Sequence, residues 1–265
     1  MRTILVTGAT DGLGRELARR LAAGGDRVVV HGRDPERVRR TRDEAGGTTE
    51  GVVADLAELR QVDRLAEEVL DRFDRLDVLV NNAGTGSGAP GSGREESKDG
   101  VELRFAVNYL AGYHLTRRLL PLLVASAPSR VVNVASAGQQ AVDFDDPMLT
   151  RAYGRQRAYA QSKLAQIMFT FDLAEELAGQ GVSANTLHPA TYMDTTMVRE
   201  SGAPVMSTVE EGTEATLRLI DGLDGVSGSY FNGRREGRAD AQAYDREARR
   251  RLRRVSDDLV RRALS

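Results

Sequence analysis

Cysteine is absent from the 265-residue sequence, and neither sign of charge is in excess. Without cysteine the chain cannot form disulfides, thiolate zinc sites, iron–sulfur clusters or a cysteine nucleophile, which favours a reducing compartment. The 37 Lys and Arg residues against 39 Asp and Glu residues leave a net charge of −2. This balance argues against nucleic acid or an anionic membrane as a partner, and we expect no metal site.

Long hydrophobic runs are also lacking. The longest candidate, Leu119 to Ala125, is far shorter than the ~20 apolar residues of a transmembrane helix, and Pro121 interrupts it. The N-terminus leads directly into the β-branched run Thr3 to Val6, without an apolar signal core and a cleavage site. From these absences we expect a cytoplasmic protein that is not attached to a membrane.

Short β-branched runs alternate with longer segments of helical periodicity along most of the chain. This alternation predicts an α/β fold with a doubly wound parallel sheet, in a single domain that spans residues 1–265. The seven predicted strands are Thr3–Thr7, Arg27–His31, Gly51–Ala54, Leu76–Val80, Arg130–Val134, Val182–Thr186 and Gly228–Phe231. The predicted helices start near Gly12, Pro35, Leu56, Lys98, Arg157 and Val209. Residues 239–265 are Arg-rich and helix-periodic, and are predicted to form a C-terminal helical extension.

Three glycines follow the first predicted strand in the segment TGATDGLG. A helix is predicted to begin at the same place, so its free N–H groups and its positive dipole end would face the turn. Such a turn is typical of a site for the pyrophosphate of a dinucleotide, although glycines at this spacing also form purely structural turns. The candidate binding residues of this turn are Gly8, Thr10, Asp11, Gly12, Leu13 and Gly14.

The end of the second predicted strand bears on the choice between NAD and NADP. In dinucleotide-binding folds, a carboxylate about 20 residues after the glycine turn binds the free ribose hydroxyl of NAD. Gly32 stands where that carboxylate is expected, and Arg33 beside it can bind the 2′-phosphate of NADP through its forked donors. Asp34 is better explained as the N-cap of a helix with Pro35 at its first position. The sequence therefore favours NADP over NAD, with an unrelated exposed arginine as the alternative interpretation of Arg33.

Polar, Gly or Pro residues follow the later strands as well. In open α/β sheets ligands bind beyond the carboxyl ends of the strands, so these positions are expected to meet at one edge of the sheet. Ser136 follows the fifth strand, and its hydroxyl can hydrogen-bond a substrate oxygen. The further candidates for binding the cofactor at this edge are Asp55, Leu56, Asn82, Ala83, Gly84, Pro189 and Tyr192.

Tyr159 and Lys163 stand four residues apart in the segment RAYAQSKLA, so on a helix their side chains share one face. A phenol with a pKa near ~10 is a poor acid–base group at neutral pH, and an adjacent ammonium favours its phenolate form. We therefore expect this pair to act as a proton donor with a lowered pKa. A Tyr/Lys pair at this spacing also occurs on exposed helices without any function, and Tyr153 with Arg157 repeats the spacing.

Taken together, the segments TGATDGLG, ADL, NNAG and YAQSK, with Asn108 and Ser136, resemble in order and spacing the short-chain dehydrogenase/reductase family in its compact form. The resemblance extends from residue 1 to about residue 233, and the sequence looks most like the branch of retinol-dehydrogenase-like enzymes and related bacterial reductases. It implies a Rossmann-type fold. It also implies hydride transfer between NADP(H) and a carbonyl or alcohol carbon of a small-molecule substrate.

The resemblance implies roles for four residues. Tyr159 would be the general acid/base, and Lys163 would lower its pKa and hold the nicotinamide ribose. Ser136 would orient the substrate carbonyl, and Asn108 would keep a water in the proton relay. Members of the family commonly pair through the helices that carry Asn108 and Tyr159, which implies a homodimer or homotetramer unless the C-terminal helix covers that surface.

Two other functions stay open at this point. A sugar-nucleotide epimerase or dehydratase shares the Tyr-x-x-x-Lys motif, but generally has a different glycine spacing and a larger C-terminal substrate region. A catalytically silent NADP-binding regulator would not need to keep the four catalytic candidates together. The Gly/Ser-rich segment Thr85 to Gly93 is either a surface loop or a substrate lid. Ala190 departs from the glycine that the family often has after Pro189, so we expect the loop there to run differently.

Overall fold

The computed structural model of the protein describes residues 1–223 and 225–265. Within these residues the strands are β1 (Thr3–Val6), β2 (Arg27–Gly32), β3 (Thr49–Val53), β4 (Val78–Asn81), β5 (Ser129–Val134), β6 (Val182–His188), β7 (Tyr230–Asn232) and β8 (Arg235–Gly237). The α-helices are α1 (Gly12–Ala23), α2 (Pro35–Ala45), α3 (Leu59–Arg72), α4 (Ala111–Ala125), α5 (Arg155–Glu176), α6 (Thr196–Ser201), α7 (Val209–Asp221) and α8 (Arg246–Leu264). A π-helical segment (Phe105–Leu110) leads into α4.

All of these strands lie in one sheet, in the order β3-β2-β1-β4-β5-β6-β7-β8. The pairs from β3 to β7 are parallel, which confirms the predicted doubly wound sheet. The additional strand β8 pairs antiparallel with β7 through a tight hairpin in which Gly233 has a φ of +59°. A three-residue strand is too short to give a periodic signal in the sequence.

Both faces of the sheet are covered by helices. Successive side chains of a strand point to opposite faces, so Ile4 and Val6 pack with α1 and α7 while Leu5 packs with α3, α4 and α5. All three side chains are fully buried. Burial on both faces explains why the strands read as continuous apolar runs rather than as alternating patterns.

Two helices begin later than their periodicity suggested. Helix α3 begins at Leu59 rather than near Leu56, because the Asp55 carboxylate accepts a hydrogen bond from the Ala57 N–H (2.9 Å) and holds a turn. The prediction of a helix near Lys98 was wrong for a similar reason. The chain turns at Gly100, where φ is +72°, and helical structure starts with the π-helical segment.

The C-terminal extension forms helix α8, which packs against α5 and α3. Leu252 and Leu259 are buried in this contact, as the apolar stripe predicts. The Tyr109 hydroxyl also hydrogen-bonds the Ser256 hydroxyl at 2.7 Å. Among the described residues, no helix has the length and apolar character that crossing a bilayer would require.

Candidate active site

The glycine turn packs tightly against the strand beside it. Gly8 has a φ of +63°, and a Cβ atom at this position would lie 2.7 Å from the Ala83 Cα. A Cβ atom at Gly14 would meet the Gly8 carbonyl oxygen and lie 2.5 Å from the Asn82 Nδ2. The turn therefore requires glycine at both positions.

Asn82 fixes this turn from the end of β4. Its Nδ2 donates to the carbonyl oxygens of Thr7 (2.8 Å) and Gly8 (3.1 Å). The Thr7 hydroxyl in turn accepts the backbone N–H groups of Asn82 (3.0 Å) and Ala83 (3.1 Å). These four hydrogen bonds join the NNAG segment to the glycine turn, so two motifs whose bonded residues are 74 to 76 positions apart in the sequence form one structure.

His31 is a residue of this region that the sequence analysis missed. It is buried at the end of β2, where its Nδ1 accepts the Gly8 N–H (3.2 Å) and its Nε2 contacts the Ala54 carbonyl oxygen (3.0 Å). Burial lowers the pKa of His31 to about 4, so the ring is neutral and Nε2 carries the proton. His31 thus ties the glycine turn to the end of β3, and only its place just before Gly32 in the sequence hinted at this.

The corner where the adenosine ribose would lie contains Gly32, Arg33 and Arg37. A Cβ atom at Gly32 would lie 2.5 Å from the Thr10 Cγ2 and 2.9 Å from the Val38 Cγ2, so a carboxylate side chain there would have to displace these two methyl groups. Arg33 is exposed and forms no ion pair within the described part of the chain. Arg37 donates to the Thr10 carbonyl oxygen at 3.2 Å. Arg37, which the sequence analysis did not identify, thus contacts the glycine turn and also pairs with the Asp11 carboxylate at 3.4 Å.

Helix α2 begins as predicted, because the Asp34 carboxylate caps it by accepting the N–H groups of Glu36 (2.9 Å) and Arg37 (3.1 Å). Asp11 caps α1 in a related way by accepting the Gly12 N–H at 2.8 Å. Burial alone would raise the pKa of Asp11, but the Thr196 hydroxyl, the Gly12 N–H and the Arg37 guanidinium outweigh it and lower the pKa. Asp11 is thus an anion at the very N-terminus that the sequence analysis assigned to the pyrophosphate.

The loop after β6 lies against the glycine turn. A Cβ atom at Gly12 would come within 2.8 Å of the Thr195 Cγ2, and Thr195 caps the short helix α6. Ala190 has no positive φ, and the expectation that the loop runs differently from that of the family stays a prediction. The left-handed residue of this loop is Tyr192, with a φ of +46°, and the Tyr192 side chain is 48% exposed. Pro189 is buried directly after β6.

The other cofactor-binding candidates also lie at the carboxyl edge of the sheet. Asp55 is half-buried two residues beyond β3. The side chains of Leu13 and Leu56 are buried in the apolar core, so only their backbone atoms are available to a ligand. A Cβ atom at Gly84 would lie 3.5 Å from the Lys163 Nζ, which places the NNAG segment directly beside this amine.

Tyr159 and Ser136 meet at Gly138. A Cβ atom at Gly138 would lie 3.5 Å from the Ser136 Oγ and 3.9 Å from the Tyr159 Cε1, and the Ser136 Oγ accepts the Gly138 N–H at 3.0 Å. Burial raises the pKa of Tyr159, while a hydrogen bond with Ser136 acts in the opposite direction. The expectation of a lowered Tyr159 pKa was therefore wrong for the protein alone, because desolvation outweighs every favourable contact of the phenolate.

Lys163 lies on the same helix with its Nζ 5.9 Å from the centre of the Tyr159 ring. The ammonium donates to the Val134 carbonyl oxygen (2.9 Å) and to the Gln166 Oε1 (3.0 Å). Burial lowers the pKa of Lys163 to about 7. Two of its three N–H donors are used by residues that the structure describes, and the third is left for a ligand.

Asn108 lies in the π-helical segment, a type of distortion that often occurs at functional sites. Its side chain accepts the Thr85 N–H (2.7 Å) and donates to the Thr85 carbonyl oxygen (3.1 Å) and the Ser162 Oγ (2.9 Å). The Ser162 hydroxyl then donates to the Tyr159 carbonyl oxygen at 2.7 Å. The side chain of Asn108 therefore joins the start of the Gly/Ser-rich segment to the helix that carries Tyr159.

Two arginine side chains also hydrogen-bond backbone carbonyl oxygens of the Gly/Ser-rich segment. The fully buried Arg104 donates to the Ser87 carbonyl oxygen at 3.3 Å, and Arg155 donates to the Gly88 carbonyl oxygen at 2.8 Å. Arg104 directly precedes the π-helical segment, and Arg155 is the first residue of α5. The beginning of this segment is therefore anchored to the elements that carry Asn108 and Tyr159.

The structure thus places Asn108 and Lys163 against Gly84, whose segment packs on the glycine turn, and it places Ser136 close to Tyr159 on the helix that carries Lys163. Arg33 lies at the other end of the same edge, beyond β2. The edge therefore has a glycine turn suited to a phosphate at one place, and the Ser136 hydroxyl, the Tyr159 phenol and the Lys163 amine at another. Such an arrangement is suited to holding an extended anionic ligand and exchanging a proton near one end of it.

Comparison with known proteins agrees with this geometry. Residues 2–205 match the sequence profile of the family described as short chain dehydrogenase. Human retinol dehydrogenase 13 is 34% identical over 275 residues, which cover 95% of this chain and 82% of that protein. The crystal structure of an uncharacterised protein from Mycobacterium paratuberculosis matches with a TM-score of 0.83 and 28% identity. The matched region covers 98% of this chain and 94% of that protein's chain. The Pseudomonas aeruginosa RhlG/NADP complex has a TM-score of 0.72 and 28% identity, over 87% of this chain and 94% of that one.

Proposed function

The chain belongs to the short-chain dehydrogenase/reductase family of NAD(P)-dependent oxidoreductases and resembles its retinol-dehydrogenase-like branch, and we propose that it uses NADP(H) to interconvert a carbonyl and an alcohol on a small organic substrate. The observation that carries the proposal is the convergence of Ser136, Tyr159 and Lys163 beside the glycine turn. A structural turn and a chance Tyr/Lys pair would have no reason to share one edge of the sheet.

The residues of this edge fit a dinucleotide. Glycine at positions 8 and 14 lets the turn pack closely on the NNAG segment at the N-terminus of α1, where a pyrophosphate would bind. The third N–H of Lys163 is available to a ribose hydroxyl, and Gly84 beside it provides space close to the amine. Asp55 lies further along the edge, where it would accept hydrogen bonds from the adenosine half.

The preference for NADP over NAD rests on Gly32 and Arg33. Gly32 supplies no carboxylate to bind a free ribose hydroxyl, and the Thr10 and Val38 methyl groups pack against this position. Arg33 is exposed beside that position, and Arg37 adds a second positive charge at the glycine turn. The 2′-phosphate of NADP would bind these guanidinium groups through charge-assisted hydrogen bonds, whereas the 2′-hydroxyl of NAD carries no negative charge for them to bind.

In the proposed reaction Ser136 and Tyr159 hydrogen-bond the substrate oxygen and orient the carbonyl. A bound nicotinamide supplies the hydride in reduction and accepts it in oxidation. Tyr159 donates its phenolic proton to the developing alkoxide in reduction and removes the hydroxyl proton in oxidation. Lys163 holds the ribose and, when protonated, stabilises the phenolate that Tyr159 becomes. Asn108 fixes the segment that forms one wall of the site.

Two finer expectations stay predictions. Pairing as a homodimer or homotetramer has to accommodate α8, which packs on α5 and hydrogen-bonds Tyr109. A cytoplasmic location rests on composition alone.

The direct test is oxidation of NADPH, followed by absorbance, with a panel of ketones, aldehydes and quinones. Retinaldehyde belongs in the panel because the human relative is named for retinol. Tyr159→Phe should lower kcat by about 10²–10⁴-fold, since it removes the proton donor, and should leave NADPH affinity within a few-fold of that of the wild type. Tyr153→Phe is the matched control because it removes the phenol that repeats the spacing. Activity of Tyr159→Phe within a few-fold of the wild-type value would assign the proton donor to another residue.

A further inference from the structure

The ammonium of Lys163 is held by neutral oxygens. Lys163 is 4% exposed, and its Nζ donates to the Val134 carbonyl oxygen and the Gln166 Oε1. No carboxylate forms an ion pair with it among residues 1–223 and 225–265. The titratable groups that face it are the Tyr159 phenol on its own helix and His188 at the end of β6. Burial and the Lys163 charge both lower the pKa of His188, so its ring is uncharged at neutral pH. Among the described residues, therefore, no titratable group that faces Lys163 supplies a negative charge to balance its ammonium.

The Val134 acceptor belongs to the backbone, so Gln166 supplies the one side-chain acceptor of the pair. It is 4% exposed and stands three residues after Lys163, so the two side chains are neighbours on the surface of α5. Because an ammonium group has donors and no acceptor, the amide oxygen of Gln166 must face it. The Gln166 backbone carbonyl is occupied in turn by the Thr170 hydroxyl at 2.8 Å.

We propose that Gln166 is a positioning residue for Lys163: its amide oxygen accepts a hydrogen bond from the buried amine, orients it towards the carboxyl edge of the sheet and favours its ammonium form. The inference deepens the proposed function, because a protonated Lys163 is what holds a ribose and stabilises a phenolate. Without Gln166, the backbone carbonyl of Val134 would be the remaining contact of the ammonium within the described residues.

The composition of the chain allows a direct measurement. The sequence contains only two lysines, Lys98 and Lys163. Lys98 is exposed and pairs with Glu58, so it serves as an internal reference. Protein labelled with ¹³C and ¹⁵N in lysine alone would show two side-chain Cε signals, and the Lys98→Arg variant would assign them. The pH titration of the Lys163 signal then reports its protonation without any substrate or cofactor.

Three variants test the role of Gln166. Gln166→Met keeps the volume and removes the acceptor, so the Lys163 midpoint should fall from about 7 by roughly one unit. Gln166→Glu places a carboxylate beside the amine, so the midpoint should rise by roughly one unit or more. Gln161→Met is the matched control, because Gln161 is equally buried on α5 but bonds Asp143 and Pro147 instead. The control should leave the midpoint unchanged.

A second readout is the affinity for NADPH, measured by its fluorescence across the same pH range. Gln166→Met should bind NADPH about fivefold more weakly near pH 7, where roughly half of the wild-type Lys163 but only about a tenth of the variant's Lys163 is protonated. An unchanged Lys163 midpoint in Gln166→Met, or an equal shift in Gln161→Met, would overturn the inference. If Gln166→Met does not fold, Gln166→Glu provides the test. An upward shift of the Lys163 midpoint in that variant supports the role of Gln166, and an unchanged Lys163 midpoint refutes it. A wild-type enzyme that shows these titrations but reduces no carbonyl would refute the proposed function and leave the role of Gln166 intact.

Discussion

Replacing Arg33 with alanine should weaken the binding of NADPH far more than the binding of NADH. Arg33 is exposed just beyond β2 and forms no ion pair within the part of the chain that the structure describes, so its removal breaks no internal contact. Its loss should be felt only by a ligand with a charge at that corner. A charge-assisted hydrogen bond contributes about 1.5–3 kcal/mol, which corresponds to a ten- to hundredfold loss of affinity.

The loss should stay near the lower end of this range for two reasons. The site is exposed to solvent, and Arg37 still supplies a guanidinium beside the Thr10 carbonyl oxygen. The dissociation constants of NADPH and NADH would be measured by the fluorescence of the reduced nicotinamide or by calorimetry. Raising the salt concentration should shrink the difference between wild type and variant for NADPH and leave that for NADH unchanged.

Arg39→Ala is the matched control for this experiment. Arg39 is a similarly exposed arginine of α2, but it pairs with Glu36 on the helix surface. The control should change the affinity for neither cofactor by more than about twofold. Equal losses for NADPH and NADH in Arg33→Ala would refute the assignment of Arg33 to the 2′-phosphate. A loss in Arg39→Ala as large as that in Arg33→Ala would show a general effect of charge instead.

Two further predictions concern the glycine turn. Gly14→Ala should lower the free energy of unfolding by about 1–3 kcal/mol and weaken cofactor binding, because its Cβ would meet the Gly8 carbonyl oxygen and Asn82. Gly93→Ala is the control and should leave the stability unchanged, because its Cβ would have no neighbour within 4 Å. Chemical denaturation and cofactor titration of both variants measure this, and equal stabilities would contradict the packing argument. His31, with its pKa lowered from 6.5 to about 4, should lose roughly 3 kcal/mol of stabilisation as the pH falls through this window, because the unfolded chain binds the proton first. His31→Gln does not titrate, so the difference in unfolding free energy between wild type and variant should change over this window, and a constant difference from pH 7 to 4 would be the contrary result.

The sequence by itself determined the order of the elements and the place of the motifs. Strand and helix periods depend on neighbouring residues, so the parallel sheet from β1 to β7 and the cap formed by Asp34 followed from local patterns. The placement of Tyr159 and Lys163 on one helix also follows from a spacing of four residues. In a parallel sheet the carboxyl ends share one edge, so even the meeting of distant motifs could be expected.

Local periodicity was insufficient where a short turn, a hairpin or the surface of another helix decided the outcome. Glycine at position 100 and the short turn after Asp55 moved two helix starts, although the flanking residues are helix formers. Strand β8 depends on one hairpin, and the buried face of α8 depends on its partner surface on α5. Periodicity identifies an apolar stripe, but the sequence does not name the surface that covers it.

The electrostatics of the site were decided by the tertiary structure alone. The sequence places Lys163 near Tyr159 and so suggests a lowered phenol pKa, but burial raises the Tyr159 pKa and lowers that of Lys163. The roles of His31 and Gln166 were hidden for the same reason, since neither belongs to a recognisable motif. A pKa depends on the solvent excluded and the dipoles assembled by segments distant in sequence, and these exist only once the chain has folded.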